Sequence, residues 1–65
     1  MTKVSLAGAR KTANLTQKQL SVKLGVSRET VSKWESGKSE LKPINLYAFC
    51  YVTGFSADDI ILTRE

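Results

Sequence analysis

Sixty-five residues carry ten Lys or Arg against six Asp or Glu, a formal net charge of +4 and a sequence pI near 9.5. A chain of that length is one domain with a core barely large enough to offset its ordering entropy, and it has no room for a Rossmann unit, a barrel or a second catalytic lobe. Histidine is absent, which removes the commonest general base and metal ligand, so no enzyme, no metal site and no cofactor is expected.

The lone cysteine, Cys50, cannot close an internal disulfide, and its setting Leu46-Tyr47-Ala48-Phe49-Cys50-Tyr51-Val52 reads as a packing position on a helix. No run approaches 18 apolar residues and the N-terminus lacks the apolar core of a signal peptide, so the expectation is a soluble, cytoplasmic chain with no membrane partner. Charge is unevenly placed. Residues 1–42 hold nine Lys or Arg and three Glu, whereas residues 43–65 hold Arg64 against Asp58, Asp59 and Glu65. A positive field over the first two thirds of the chain favours a polyanionic partner.

In chain order, the first helix is expected over 5–13, with Leu6, Ala9, Arg10 and Ala13 on one side and Asn14 as a left-handed exit. Three later segments repeat one local pattern: apolar residue, hydroxyl residue, two arbitrary residues, polar residue, apolar residue. They are Leu15-Thr16-Gln17-Lys18-Gln19-Leu20, Val26-Ser27-Arg28-Glu29-Thr30-Val31 and Phe55-Ser56-Ala57-Asp58-Asp59-Ile60. In each, the hydroxyl caps a free N–H and the flanking apolar residues form a staple, with Gln19 and Asp59 completing capping boxes. They predict helix starts near 16, 27 and 56.

The second helix, 16–24, buries Leu20, Leu24 and Val22 and stops at Gly25. The third, 27–35, directs Val31, Trp34 and Glu35 to one face and Arg28, Glu29, Ser32 and Lys33 to the other; Gly37 ends it. So short a connection between them forces a steep crossing. A loop reaches Pro43, which starts a fourth helix over 43–53 with Leu46, Phe49, Cys50 and Thr53 inward, closed by Gly54. A short fifth helix, 56–62, returns Ile60 and Ile61 to the core. Only Tyr51-Val52-Thr53 reads as strand by propensity.

The stretch from Leu15-Thr16-Gln17-Lys18-Gln19-Leu20 through Leu24-Gly25-Val26-Ser27-Arg28-Glu29-Thr30-Val31-Ser32-Lys33-Trp34-Glu35-Ser36-Gly37-Lys38 resembles the Cro/C1-type helix-turn-helix family of phage repressors and bacterial regulators. Gly54-Phe55-Ser56-Ala57-Asp58-Asp59-Ile60-Ile61 resembles that family's approach to its fifth helix. The likeness covers about residues 5–62. It departs from the pattern where Pro43 lies six residues after Gly37 and where Thr53, not leucine, precedes Gly54. The resemblance implies an all-α, five-helix repressor-like domain, residues 1–65 forming a single helix-turn-helix DNA-binding domain.

It further implies that Arg28, Glu29 and Lys33 contact bases, with Thr30 and Ser32 nearer the DNA backbone, and that Gln17, Ser36, Lys38 and Ser39 contact phosphates. Ser32 joins the base contacts through its shared polar face, and charge makes Lys11, Lys18 and Lys42 further candidates for phosphate contact. Gln17 would also brace the third helix, and Arg10 and Glu35 would form a structural ion pair. Independently of the family, an α-helix fits the major groove, where arginine or lysine bonds guanine O6 and N7 and glutamate accepts from cytosine N4. Trp34 shares the face of Val31 and is expected in the core, not stacked on bases.

The expected function is a sequence-specific double-stranded DNA-binding transcriptional regulator, a repressor of phage or bacterial origin, with no small-molecule substrate. One module covers little DNA, so a homodimer at least on DNA is expected, through Tyr51, Ala57, Asp58, Ile61 and Leu62; Tyr47 is placed over the core. The rival expectation is a protein-interaction module of antitoxin or antirepressor type. The lysine and glutamate of the third helix argue against it, because interface cores are depleted in both.

Overall fold

The computed structural model describes residues 3–62. Its elements are β1 (Val4–Ser5), α1 (Leu6–Thr12), α2 (Gln17–Leu24), α3 (Arg28–Ser36), α4 (Pro43–Thr53), a 3-10 turn (Ala57–Asp59) and β2 (Ile60–Ile61). Local signals set the helix starts as the hydroxyl pattern requires. Ser5 Oγ accepts from Gly8 N–H, Thr16 from Gln19 N–H and Ser27 from Thr30 N–H, satisfying backbone donors that have no partner inside the helix. At α2 the box closes: Gln19 Oε1 also accepts from Thr16 N–H at 2.9 Å.

The exits are as local as the starts. Gly25 has φ 72° and Gly37 φ 83°, and at each the following two-bond pattern returns free N–H groups to the last turn: Val26 to Ser21 O at 3.0 Å, and Lys38 to Lys33 O at 3.0 Å. Asn14 does the same for α1 at φ 62°, sending its N–H to Lys11 O. Only glycine, or asparagine at small cost, adopts that left-handed conformation routinely. The chain therefore turns from α2 into α3 within Gly25-Val26-Ser27.

The helices enclose one core of Leu6, Ala9, Leu20, Val31, Trp34, Leu41, Phe49 and Ile60. Trp34 is buried there, as its shared face with Val31 requires. Val22 is not: it is 72% exposed, and Ser21 occupies the inward position instead. The inward face of α2 runs through 17, 20, 21 and 24, a 3.6-residue stripe that places 22 outside. The Ser21 hydroxyl meets its burial by donating to Lys18 O at 2.7 Å. Leu41, an isolated leucine in the α3–α4 loop, has no periodicity to announce it yet is buried.

The expected fifth helix over 56–62 does not form. Four α-helices are described, followed by a single 3-10 turn, and Ile60–Ile61 is extended and pairs in parallel with Val4–Ser5, Val4 opposite Ile60 and Ser5 opposite Ile61. Two causes act together. Ser56 Oγ accepts from Asp58 N–H, two residues on, and not from the third residue that a capping box uses. The β-branched pair Ile60-Ile61 then fits a strand better than a helix turn, and the first residues of the chain supply the partner. Asp59 makes no box; its Oδ1 is buried without a hydrogen bond. Tyr51-Val52-Thr53 is helical, with Thr53 Oγ1 donating to Phe49 O at 2.9 Å, which shows how a threonine fits where leucine is usual. No helix among the described residues is long and apolar enough to cross a membrane.

Candidate nucleic-acid interface

Helix α3 is held by its inner face and free on its outer one. Val31 and Trp34 are buried, whereas Arg28, Glu29, Ser32, Lys33 and Ser36 are exposed. On a 100° rotation per residue these five fall within less than half a turn of the helix surface. Arg28, Glu29, Ser32, Lys33, Ser36 and Lys38 line one shallow concavity. The four residues proposed to read bases are thus brought together with two of those assigned to phosphates. An α-helix about 10–12 Å across with its side chains matches a major groove about 12 Å wide.

What fixes α3 at its angle is a charged junction of three helices. Arg10 of α1 is only 9% exposed. Its Nε donates to Glu35 Oε2 at 2.7 Å and its Nη2 to Glu35 Oε1 at 3.2 Å, a bidentate pair across 25 residues. A third guanidinium nitrogen, Nη1, donates to Leu15 O at 2.8 Å, fastening the α1–α2 connection. Gln17, the first residue of α2, donates from Nε2 to the same Glu35 Oε1 at 3.1 Å. Arginine suits the position because its planar fork satisfies two acceptors at once while a buried charge demands full pairing. The expected Arg10–Glu35 pair is present. Gln17 braces α3 through Glu35, and its amide carries a second N–H with no hydrogen bond among the described residues.

The other phosphate candidates are more scattered. Lys11, Lys18, Ser39 and Lys42 are exposed but do not line the α3 concavity. Lys42 is the N-cap of α4, whose first turn has no side-chain cap. Thr30 is half-buried and its Oγ1 lies 2.9 Å from Ser27 Oγ, so its hydroxyl already serves the α3 start. Ser36 Oγ donates to Lys33 O at 3.2 Å. Cys50 is half-buried and free, and burial pushes its thiol pKa up, which disfavours the reactive thiolate. The expected dimer set is split: Tyr51, Asp58, Ile61 and Leu62 are exposed, whereas Ala57 is half-buried. Tyr47 does not cover the core; it faces solvent.

Missing from the sequence reading are the Leu15 carbonyl and Leu41. A backbone acceptor carries no residue-type signal, but a buried arginine with one carboxylate partner still has donors to place, and that surplus points to a nearby carbonyl.

Comparison with known proteins agrees with this geometry. A helix-turn-helix family model matches residues 6–60, from the first residue of α1 to the first of β2. Searches of curated proteins and of solved structures return no match. With that family model spanning most of the chain, and with a braced second helix presenting a polar third one, the chain belongs to the Cro/C1-type helix-turn-helix family and is a DNA-binding transcription regulator.

Proposed function

We propose that the protein is a sequence-specific repressor that binds an operator as a homodimer, each copy inserting α3 into the major groove and so excluding polymerase from a promoter. The observation that carries this reading is the outward stripe of Arg28, Glu29, Ser32 and Lys33 on a helix whose opposite face is locked in the core. Arg28 and Lys33 reach guanine O6 and N7, and Ser32 bonds either base or backbone. Glu29 accepts from cytosine N4 or holds a neighbouring cation in position. An acidic residue there also penalises sites that place a phosphate or a guanine O6 opposite it.

Phosphates are met by the second amide N–H of Gln17, by Lys11, Lys18, Lys38 and Lys42, and by the hydroxyls of Thr30, Ser39 and Ser36, the last exchanging its bond to Lys33 O for phosphate. These fix register without reading sequence. The protein works by binding alone, with no catalytic step and no cofactor, as one DNA-binding unit in the cytoplasm of a bacterium or phage-infected host.

Methylation interference tests the docking mode. Dimethyl sulfate places a methyl group on guanine N7, at the floor of the major groove, where the proposed arginine contact lies. Bound DNA is expected to be depleted of molecules methylated at one or two guanines per half-site. Binding indifferent to N7 methylation and blocked instead by minor-groove ligands would refute the major-groove assignment.

A further inference from the structure

Helix α4 has no charged residue from Pro43 to Thr53 and is apolar on both sides. Phe49 is buried, and Leu46, Cys50 and Val52 pack against the core. On the other side Ile44 is 76% exposed, Tyr47 66% and Tyr51 90%, with Ala48 exposed beside them. Positions 44, 47, 48 and 51 follow i, i+3, i+4, i+7 and so form a single stripe. A helix that is hydrophobic all round is normally buried all round, and tyrosine is enriched where proteins meet.

We infer that this stripe is the docking surface for a second copy of the chain, the two α4 helices lying antiparallel across a two-fold axis. The inference rests on the dimeric DNA-binding reading above and moves the interface from the expected fifth helix and the Tyr51 end of the fourth onto the whole outer face of α4.

Charge selects a second copy as the occupant. Each molecule carries +4. Helices α1 and α2 expose Lys11, Lys18 and Lys23 with no acidic residue, and α3 exposes Arg28 and Lys33 against the single carboxylate of Glu29, Glu35 being held by Arg10, so copies approaching by those helices oppose an excess of like charge. Helix α4 alone among the four lets them meet without opposing like charges. Antiparallel pairing also sets the N-terminal end of each α4 dipole against the C-terminal end of the other, which is the self-complementarity a two-fold interface requires.

Area sets the strength. Two tyrosines and an isoleucine at these exposures offer about 500 Å² per copy, or roughly 1,000 Å² in total, at the lower edge of specific interfaces. The free dimer is accordingly weak and is completed on DNA. With extents of 30 × 25 × 19 Å, two touching copies together are long enough to reach successive major-groove faces about 34 Å apart.

Sedimentation equilibrium of the full chain from about 10 μM to about 1 mM tests this, comparing wild type with Tyr51→Lys and Tyr47→Lys. Both tyrosines are largely outside the core, and unchanged far-UV circular dichroism confirms that the variants fold. Wild type is expected to dimerise with a Kd on the order of 10⁻⁴ M, and each variant at least tenfold more weakly. A wild type that stays monomeric to the highest concentration, or a dimer insensitive to both substitutions, overturns the α4 interface; a different protein would then be the occupant. The same proteins titrated with a short duplex carrying one selected half-site should bind equally. Failure of wild type there would count against the DNA reading and not against the interface.

Discussion

Replacing Glu35 by alanine is expected to destabilise the domain by about 3–5 kcal/mol, the cost of leaving a buried cation without its carboxylate. Arg10 would keep only the Leu15 carbonyl, its Nε and Nη2 donors would lose both acceptors, and Gln17 would lose its bond to α3. A chain of this length has a total stability of about 3–10 kcal/mol, so the variant should be largely unfolded at 37 °C or close to it. The double variant R10M/E35L removes both charges and fills the space with apolar atoms. It should recover most of the loss, because replacing a buried pair together is commonly close to neutral. Urea denaturation of R10M, E35L and R10M/E35L beside wild type, read as a cycle, checks this; additive losses would mean the pair is a surface contact with no special role.

The second large effect is in DNA binding. In the proposed dimer, Lys11, Lys18, Lys38 and Lys42 would supply four phosphate-directed cations per copy, eight in all, so the logarithm of affinity should fall against the logarithm of salt concentration with a slope of about −7. Between 50 and 200 mM salt that is a loss of about 10⁴-fold. Replacing one of these lysines by alanine in both copies should reduce the slope by about two units while leaving sequence preference intact. Fluorescence anisotropy titrations at several salt concentrations give the slope directly. A slope shallower than about −3 would show that few of the four lysines reach phosphate.

Both effects trace to features of different legibility. The helices from 5 to 53 were readable because their signals are local: a hydroxyl three residues before the N–H it caps at α1, α2 and α3, Pro43 at the start of α4, and a glycine or asparagine where φ turns positive. Arg10 and Glu35 stood out because each lies among apolar neighbours on its own helix, so burial demanded a partner. The last segment misled for a physical reason. Phe55-Ser56-Ala57-Asp58-Asp59-Ile60 has the composition of a helix start, but what decides its conformation is the Val4–Ser5 strand 56 residues away in register, which no local pattern reports. Val22 shows a smaller failure of the same kind, since two adjacent residues compete for one inward position and only the packed partner helix chooses between them. The outer stripe of α4 was hidden by its own hydrophobicity: an apolar helix looks like core, and only exposure reveals which half of it faces outward.

The recognition surface was legible as a set of residue types on one helical face, and the family match at residues 6–60 gives that face its context. In the proposed repressor, sequence specificity is assigned first to Arg28 and Lys33, since these two carry the donors that match guanine.

The most direct test of that assignment is selection of randomised duplex DNA by the purified chain, run beside the R28A/K33A double variant. Wild type should enrich a half-site or a palindrome containing guanine at fixed positions. The double variant should keep its fold and its salt-dependent attraction to duplex but lose the preference, each lost bidentate contact removing about 1–3 kcal/mol of discrimination. Enrichment of the same sequence by both proteins, or of none by wild type, would contradict operator reading by α3.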